Sequence, residues 1–274
     1  MFEIVLILIA PLVGGLMHGS QRVIRARMQN RQGPPLLQPF YDMYKLMDKR
    51  AFIVHPYHTI LGILHFLTLW LVVALIILGT NLLYVIFLHL LATVFIVLAG
   101  FSVKSVFSHL GANRELLSLL AYEPIFIFLA TGFYLFFGTY DISVIRENST
   151  AIMTLPLLFI AFLLTIPLKL KLSPFDACEA HQEIVGGVEV EYSGVYFEFL
   201  YMAKWLEYIF VFSLLTLFAG DSILFAIALV AVVFLVANIV DNSTARVNIQ
   251  ETVKFLLIWG FGLSILNIIG LSFV

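Results

Sequence analysis

The chemistry of this chain is concentrated in acids that stand where few charges are expected. Six carboxylates lie between Asp176 and Glu198: Asp176, Glu179, Glu183, Glu189, Glu191 and Glu198. No lysine or arginine falls between Lys171 and Lys204. The acids alternate with Phe175, Ile184, Val185, Val188, Val190 and Phe197, which reads as a packed segment; a solvated acidic loop is the plainer alternative. If the segment is helical, spacings of three and four place Asp176, Glu179 and Glu183 on one face. Buried together, such carboxylates titrate as a coupled set with raised pKa values, which suits them to taking up and releasing protons. A metal site is not expected. His181 is five residues from Asp176 and two from Glu183, so these groups do not converge on a helix.

Two more acids sit within apolar runs: Glu123 in LLSLLAYEPIFIFLA, just before Pro124, and Glu207 in AKWLEYIFVF. A carboxylate in such a run is by default a proton- or ion-path residue. The alternative is a structural ion pair with Arg114 or Lys204. His65 and His89 read as buried, hydrogen-bonded structural histidines. Near the N-terminus, Arg22, Arg25, Arg27 and Arg31 precede Gly33-Pro34-Pro35, which forces a non-helical turn. The arginines serve as headgroup anchors or, beside a proline-fixed turn, as a site for an anion or a partner's carboxylates. After the turn, LLQPFYDMYKLMDK has the spacing of an amphipathic interfacial helix carrying Gln38, Asp42 and Lys45.

These groups are held in a chain of 274 residues that is 62% hydrophobic and 12% charged, with a mean hydropathy of +1.04. Soluble, disordered, nucleic-acid-binding and disulfide-scaffold classes are excluded by that composition. The single cysteine, Cys178, excludes an internal disulfide and a cysteine-ligated iron–sulfur cluster. The expected fold is an all-α polytopic membrane protein of one domain, residues 1–274. Eight apolar stretches serve as transmembrane helices, at about 2–20, 58–79, 83–103, 119–138, 151–168, 199–219, 222–240 and 253–273. The first is read as a retained span, not a cleaved leader. An amphipathic interfacial helix follows the first span, and a large acidic cytoplasmic loop joins spans five and six. With eight spans, 14 of the 15 Lys and Arg fall on one side and only Arg146 lies opposite. The positive-inside rule then makes the large loops cytoplasmic and puts both termini outside.

Three segments carry a resemblance: RARMQNRQGPPLLQPFYDMYKLMDK, GANRELLSLLAYEPIF and SPFDACEAHQEIVGGVEVEYSG. Together, and in this order, they resemble the H-type membrane subunits of respiratory complex I, a family that includes the membrane subunits of group 4 energy-converting NiFe hydrogenases. The resemblance spans roughly residues 1–255. It implies a membrane anchor joining a hydrophilic redox arm to an ion-translocating arm in the cell membrane of a prokaryote. The partners implied are large and small iron–sulfur redox subunits, small membrane subunits, antiporter-like subunits and the lipid bilayer, with no nucleic acid. Iron–sulfur clusters and a NiFe centre would belong to those partners, with no cofactor bound by this chain.

Matched position by position, the motifs assign proton or ion coupling to Glu123, Asp176, Glu179, Glu183, Glu191 and Arg114, and the reading of intramembrane acids adds Glu207. Contact with the redox arm, or with a chamber beside its last cluster, is assigned to Arg25, Arg27, Arg31, Gln38, Asp42, Lys45, His181 and Tyr192. Several positions depart from the complex I pattern: His181 replaces an acid, and Gly186-Gly187-Val188-Glu189 replaces a phenylalanine–asparagine segment. The stretch from Asp241 to Arg246 also resembles the hydrogenase branch. The expectation is therefore a non-catalytic coupling subunit of a ferredoxin-linked hydrogenase. The alternatives are a quinone-chamber subunit of a complex I-type enzyme, a sulfane reductase relative, and a stand-alone ion transporter.

Overall fold

Backbone placed in hydrocarbon must close its hydrogen bonds within itself, so long apolar runs become helices. The computed structural model describes residues 2–148 and 151–272, and among these seven helices are long and apolar enough to cross a membrane. In chain order the first elements are α1 (Phe2–Met28), α2 (Gln38–Asp48), α3 (Pro56–Ile77), α4 (Leu82–Phe101), α5 (Val106–Phe137) and α6 (Ile142–Glu147). Next come α7 (Pro156–Lys169), the short α8 (His181–Ile184), α9 (Val195–Thr216) and α10 (Ile223–Ser243). The last span is α11 (Ile249–Phe255), a π-helical turn (Leu256–Phe261) and α12 (Gly262–Ser272).

Three expectations need correction. First, α1 does not end near residue 20 but runs to Met28, so Arg22, Arg25 and Arg27 ride on its final turns instead of lying in a loop. This extension brings Arg22 to Asp42, at 2.7 Å, and Arg25 onto the Asp241 carboxylate at the end of α10. Second, the segment proposed as span 151–168 yields only the 14-residue α7, about 21 Å long at 1.5 Å per residue and short of the hydrocarbon thickness. Pro156 sets the first helical position and excludes its neighbour from helix, so residues 151–154 form turns. Those turns, in which Met153 and Thr154 are exposed, are tied to the last span: Asn267 of α12 accepts from the Leu158 N–H at 2.9 Å and donates to the Thr154 carbonyl. Third, Asp176, Glu179 and Glu183 do not share one helical face. The acidic loop is a 3₁₀ turn (Ala177–Glu179), then α8, then a second 3₁₀ turn (Gly187–Glu191).

The core holds α5 upright in the centre. Phe126, Phe133, Phe162, Phe210 and Phe218 are fully buried and join α5 to α7 and α9. The amphipathic α2 forms as expected and lies across α1 and α9, with Phe40 edge-on to Trp205 at 5.2 Å. On the opposite side, Asn81 caps α4, and the backbone of residues 79–82 pairs with 140–143 before α6 begins.

Candidate functional site

The acidic loop is packed, and lysines from its two ends are folded in among its acids. Lys171 follows α7 in a left-handed conformation (φ 53°), which turns its ammonium inward. There it meets Glu115 of α5 at 2.6 Å and Glu179 at 2.5 Å. Lys204 of α9 meets Glu179 at 2.8 Å and Glu189 at 2.9 Å. The result is a chain of alternating sign: Glu115, Lys171, Glu179, Lys204, Glu189.

The expectation that these acids all titrate high is overturned by the same lysines. Burial acts to raise Glu179, yet the charges and hydrogen bonds of Lys171 and Lys204 hold it well below the usual carboxylate range. Glu189 goes the other way, raised by burial and by the Glu179 charge. Partial burial would lower Lys171, but Glu115 and Glu179 push it well above the ordinary lysine range. Cys178, donating to or accepting from Ser118 at 3.0 Å, is pushed up by burial and stays a thiol.

This has a pH consequence. A carboxylate depressed in the folded state stabilises at every pH above its unfolded value and loses that contribution only as the pH falls through the depressed value. Wild-type loop should therefore resist protease down to pH values below the ordinary carboxylate range. Glu179→Gln should open it at neutral pH, and equal digestion of the two at pH 7 would refute the role of Glu179 as the shared anion.

Nearer the loop surface, Arg246 grips Asp176 with two bonds of 2.7 and 2.6 Å. Arg114 joins Glu183 at 2.7 Å and donates to the Ala177 carbonyl at 2.8 Å. The hydrogen bonds that Arg246 donates to Asp176, ahead of the opposing effect of burial, raise the guanidinium further. Arg246 was missed as a site residue because 70 residues separate it from Asp176.

A second set lies within the spans. Lys169, the last residue of α7, meets Glu207 of α9 at 3.1 Å, and the other Glu207 oxygen contacts His89 Nε2 of α4 at 3.3 Å. The imidazole of His89 stacks on Phe210, with centroids 4.0 Å apart. His89 is buried and hydrogen-bonded as expected, but its partner is the Glu207 carboxylate, which brings it into the site; His65 is likewise buried, its Nδ1 2.7 Å from the Ala92 carbonyl oxygen. Lys169 also lies over the Tyr122 ring at 4.6 Å, and Tyr122 donates to Thr93. Neighbouring Glu123 is 5% exposed, and neither carboxylate oxygen has a hydrogen-bond partner among the described residues. The ion pairs considered for it, with Arg114 or Lys204, do not form. Between the two sets lies a cavity of about 330 Å³, walled by Glu115, Glu179 and Glu189 on one side and by Lys169, Glu207 and Tyr122 on the other.

Other assigned residues lie apart. Asp42 accepts from Arg22, Gln38 and Tyr201 between α1, α2 and α9; against the effect of burial, the Arg22 and Gln38 bonds lower its carboxyl. Tyr192 donates to the His58 carbonyl at 2.7 Å. Arg27, Arg31 and Lys45 are exposed and Glu191 lies outside the ion-pair chain, whereas His181, though exposed, lines the cavity together with Arg25. Among the described residues no group of three or more His, Cys, Asp or Glu forms a metal-binding arrangement. Sequence reasoning gave no role to Glu115, Lys169 or Lys171, named Glu189 only among the six loop acids, and considered Lys204 only as a partner for the intramembrane acids. The available signal was the pair of lysines flanking an otherwise cation-free acidic stretch.

Comparison with known proteins agrees with this architecture. The H-type subunit of NADH-quinone oxidoreductase from Bacillus thuringiensis (strain Al Hakam) is 28% identical over 251 residues, 80% of this chain and 74% of that protein. Its counterpart from Geobacillus kaustophilus (strain HTA426) is 30% identical over 221 residues, 72% of this chain and 66% of that one. Among solved structures, a chain of the membrane-bound sulfane sulfur reductase, an archaeal respiratory membrane complex, superposes with a TM-score of 0.89 over 98% of both chains at 23% identity, so it shares the fold. The NADH dehydrogenase family profile matches residues 2–272, and the chain accordingly belongs to that family, as a multi-pass membrane protein of the H type.

Proposed function

We propose that this chain couples electron transfer in a hydrophilic redox arm to ion translocation in the membrane arm of a multisubunit oxidoreductase. The observation that carries the reading is a shared cavity: the paired carboxylates of the loop and the intramembrane Lys169–Glu207 pair both line it, with His89 behind Glu207. Reduction of a partner's metal centre adds negative charge beside the loop. That charge favours protonation of Glu189, weakens its hold on Lys204, and propagates through Glu179, Lys171 and Glu115 as a rearrangement of pairings. Glu207 and the unpartnered Glu123 receive the change within the spans. Moving one charge against ~100 mV costs about 2.3 kcal/mol. A pKa shift of about 2 units supplies that amount, since one unit is about 1.36 kcal/mol.

The hydrogenase branch is favoured by the sequence of the acidic loop and of residues 241–246, with ferredoxin as donor and proton reduction at a partner's NiFe centre. Iron–sulfur and NiFe chemistry belongs to those subunits; what this chain contributes is the placement and protonation of its own carboxylates. The large loops then face the cytoplasm of a prokaryotic cell. A quinone-reducing complex is the second reading, because about 330 Å³ falls within the ~300–1,000 Å³ typical of small-molecule pockets. Inhibition of electron transfer by quinone analogues would select it. A stand-alone transporter would be selected by ion transport from the purified lone chain in liposomes.

The decisive variant is Glu123→Gln in the assembled complex. It removes a titratable group without adding bulk, so assembly and electron transfer to a soluble acceptor should persist while ion uptake into proteoliposomes falls to background. Undiminished uptake would overturn the coupling role of Glu123.

A further inference from the structure

Away from the coupling site, a largely apolar groove opens on the outer surface of the helix bundle between α1, α9 and α10. Met17 of α1, Thr216 at the end of α9, and Ile223, Ala226, Ile227, Val230 and Phe234 of α10 are among the side chains that form it, enclosing about 620 Å³. From Ile223 to Phe234 it descends about 16 Å along α10 at 1.5 Å per residue. That depth matches one leaflet, half of the ~30 Å hydrocarbon core. Its mouth is of a different character. Arg146 and Asp221 stand there together, at the level where α6 ends and α10 begins, and the Asp221 N–H bonds the Asn148 carbonyl at 3.2 Å.

Arg146 is the only basic residue expected on its side of the membrane, and it forms no ion pair or hydrogen bond among the described residues. Its guanidinium is half-buried, at a cost in hydration that no carboxylate offsets. A partly buried arginine at headgroup depth, above a groove one leaflet deep, is complementary to a phosphodiester attached to an acyl chain.

We infer that the groove is a binding site for a membrane phospholipid, with one chain lying along α10 between α1 and α9 and the phosphate held by Arg146. An amine-bearing headgroup would also place its ammonium near the Asp221 carboxylate. The small residues Ala226 and Ala231 leave the room that the chain occupies, and α10, mostly exposed on its own, gains a neighbour there.

The test is lipid retention by the intact complex purified in mild detergent, counted by native mass spectrometry and phosphorus assay. Wild type should keep a phospholipid that both Arg146→Gln, which removes the phosphate partner, and Ala231→Trp, which fills the groove, lose. Arg146→Lys should keep it, since an ammonium still meets a phosphate. Equal lipid counts in wild type and both loss variants would overturn the inference. So would a structure of the complex with a neighbouring protein's helix seated in the groove. Redox activity with a soluble acceptor, unchanged across the series, verifies that the variants assemble.

Discussion

Lys169→Met is expected to destabilise the assembled protein by about 3–5 kcal/mol, the cost of removing one member of a buried ion pair. Lys169 and Glu207 are 7% and 13% exposed in their side chains, and Glu207 would be left with His89 at 3.3 Å as its remaining partner. The double variant Lys169→Met/Glu207→Leu should recover most of the loss, because a buried pair replaced by apolar side chains of similar volume is often neutral. Ion uptake should stay at background in both. Unfolding midpoints of the purified complex measure the first effect and proteoliposome uptake the second. A single variant as stable as wild type would show that Glu207 is not committed to Lys169. A double variant that pumps would remove the pair from the coupling scheme.

Gly111→Ala should also destabilise the protein, somewhat less and by a different route. A Cβ at Gly111 would lie 2.5 Å from the Gly187 Cα and 2.7 Å from the Val188 nitrogen, both backbone atoms that cannot rotate away. Gly187 has a φ of 63° and is itself pressed against the Cys178 carbonyl, so the turn has little room to retreat. Overpacking of this kind costs about 1–3 kcal/mol, and the rigid neighbours put this site at the upper end. Because the turn carries Glu189, the variant should also lose the Lys204 contact and show rapid proteolysis of the acidic loop. Gly262→Ala is the matched control. No atom beyond its own stretch of helix lies within 4 Å of its Cβ position, so there the same change should stabilise by up to about 1 kcal/mol through helix propensity. Equal behaviour of the two variants would show that α5 and the loop do not meet as closely as described.

Much of this architecture was legible because its signals are local. Apolar runs of about twenty residues give spans directly, and Gly79-Thr80-Asn81 and Ala219-Gly220-Asp221 mark breaks without reference to anything distant. The amphipathic α2 was legible from its spacing. What was not legible depended on partners far apart in the chain. Whether α1 ends at 20 or 28 turns on Asp42 and Asp241 receiving its arginines. The loop acids appeared mutually repulsive because the lysines that separate them come from α7's exit and from α9. Glu115 is paired by Lys171, 56 positions on, a partner that no local pattern indicates. Glu207 was legible as an intramembrane acid, but not its partners Lys169 and His89. Glu123 was located correctly inside its span, while the absence of any partner among the described residues emerged only in three dimensions.

The short α7 and its cap set a condition on the order in which the chain can be completed. Asn267 follows Leu158 by 109 residues, so during synthesis α7 enters the bilayer long before the side chain that closes its first turn has been made. Until then the Leu158 N–H and the Thr154 carbonyl must be met by water or by another protein, since lipid offers neither a donor nor an acceptor. The placement of this short helix is therefore provisional, its first turn closed only when the last span arrives. Nascent chains stalled before Asn267 would hold α5, already made, beside a helix whose first turn is still open.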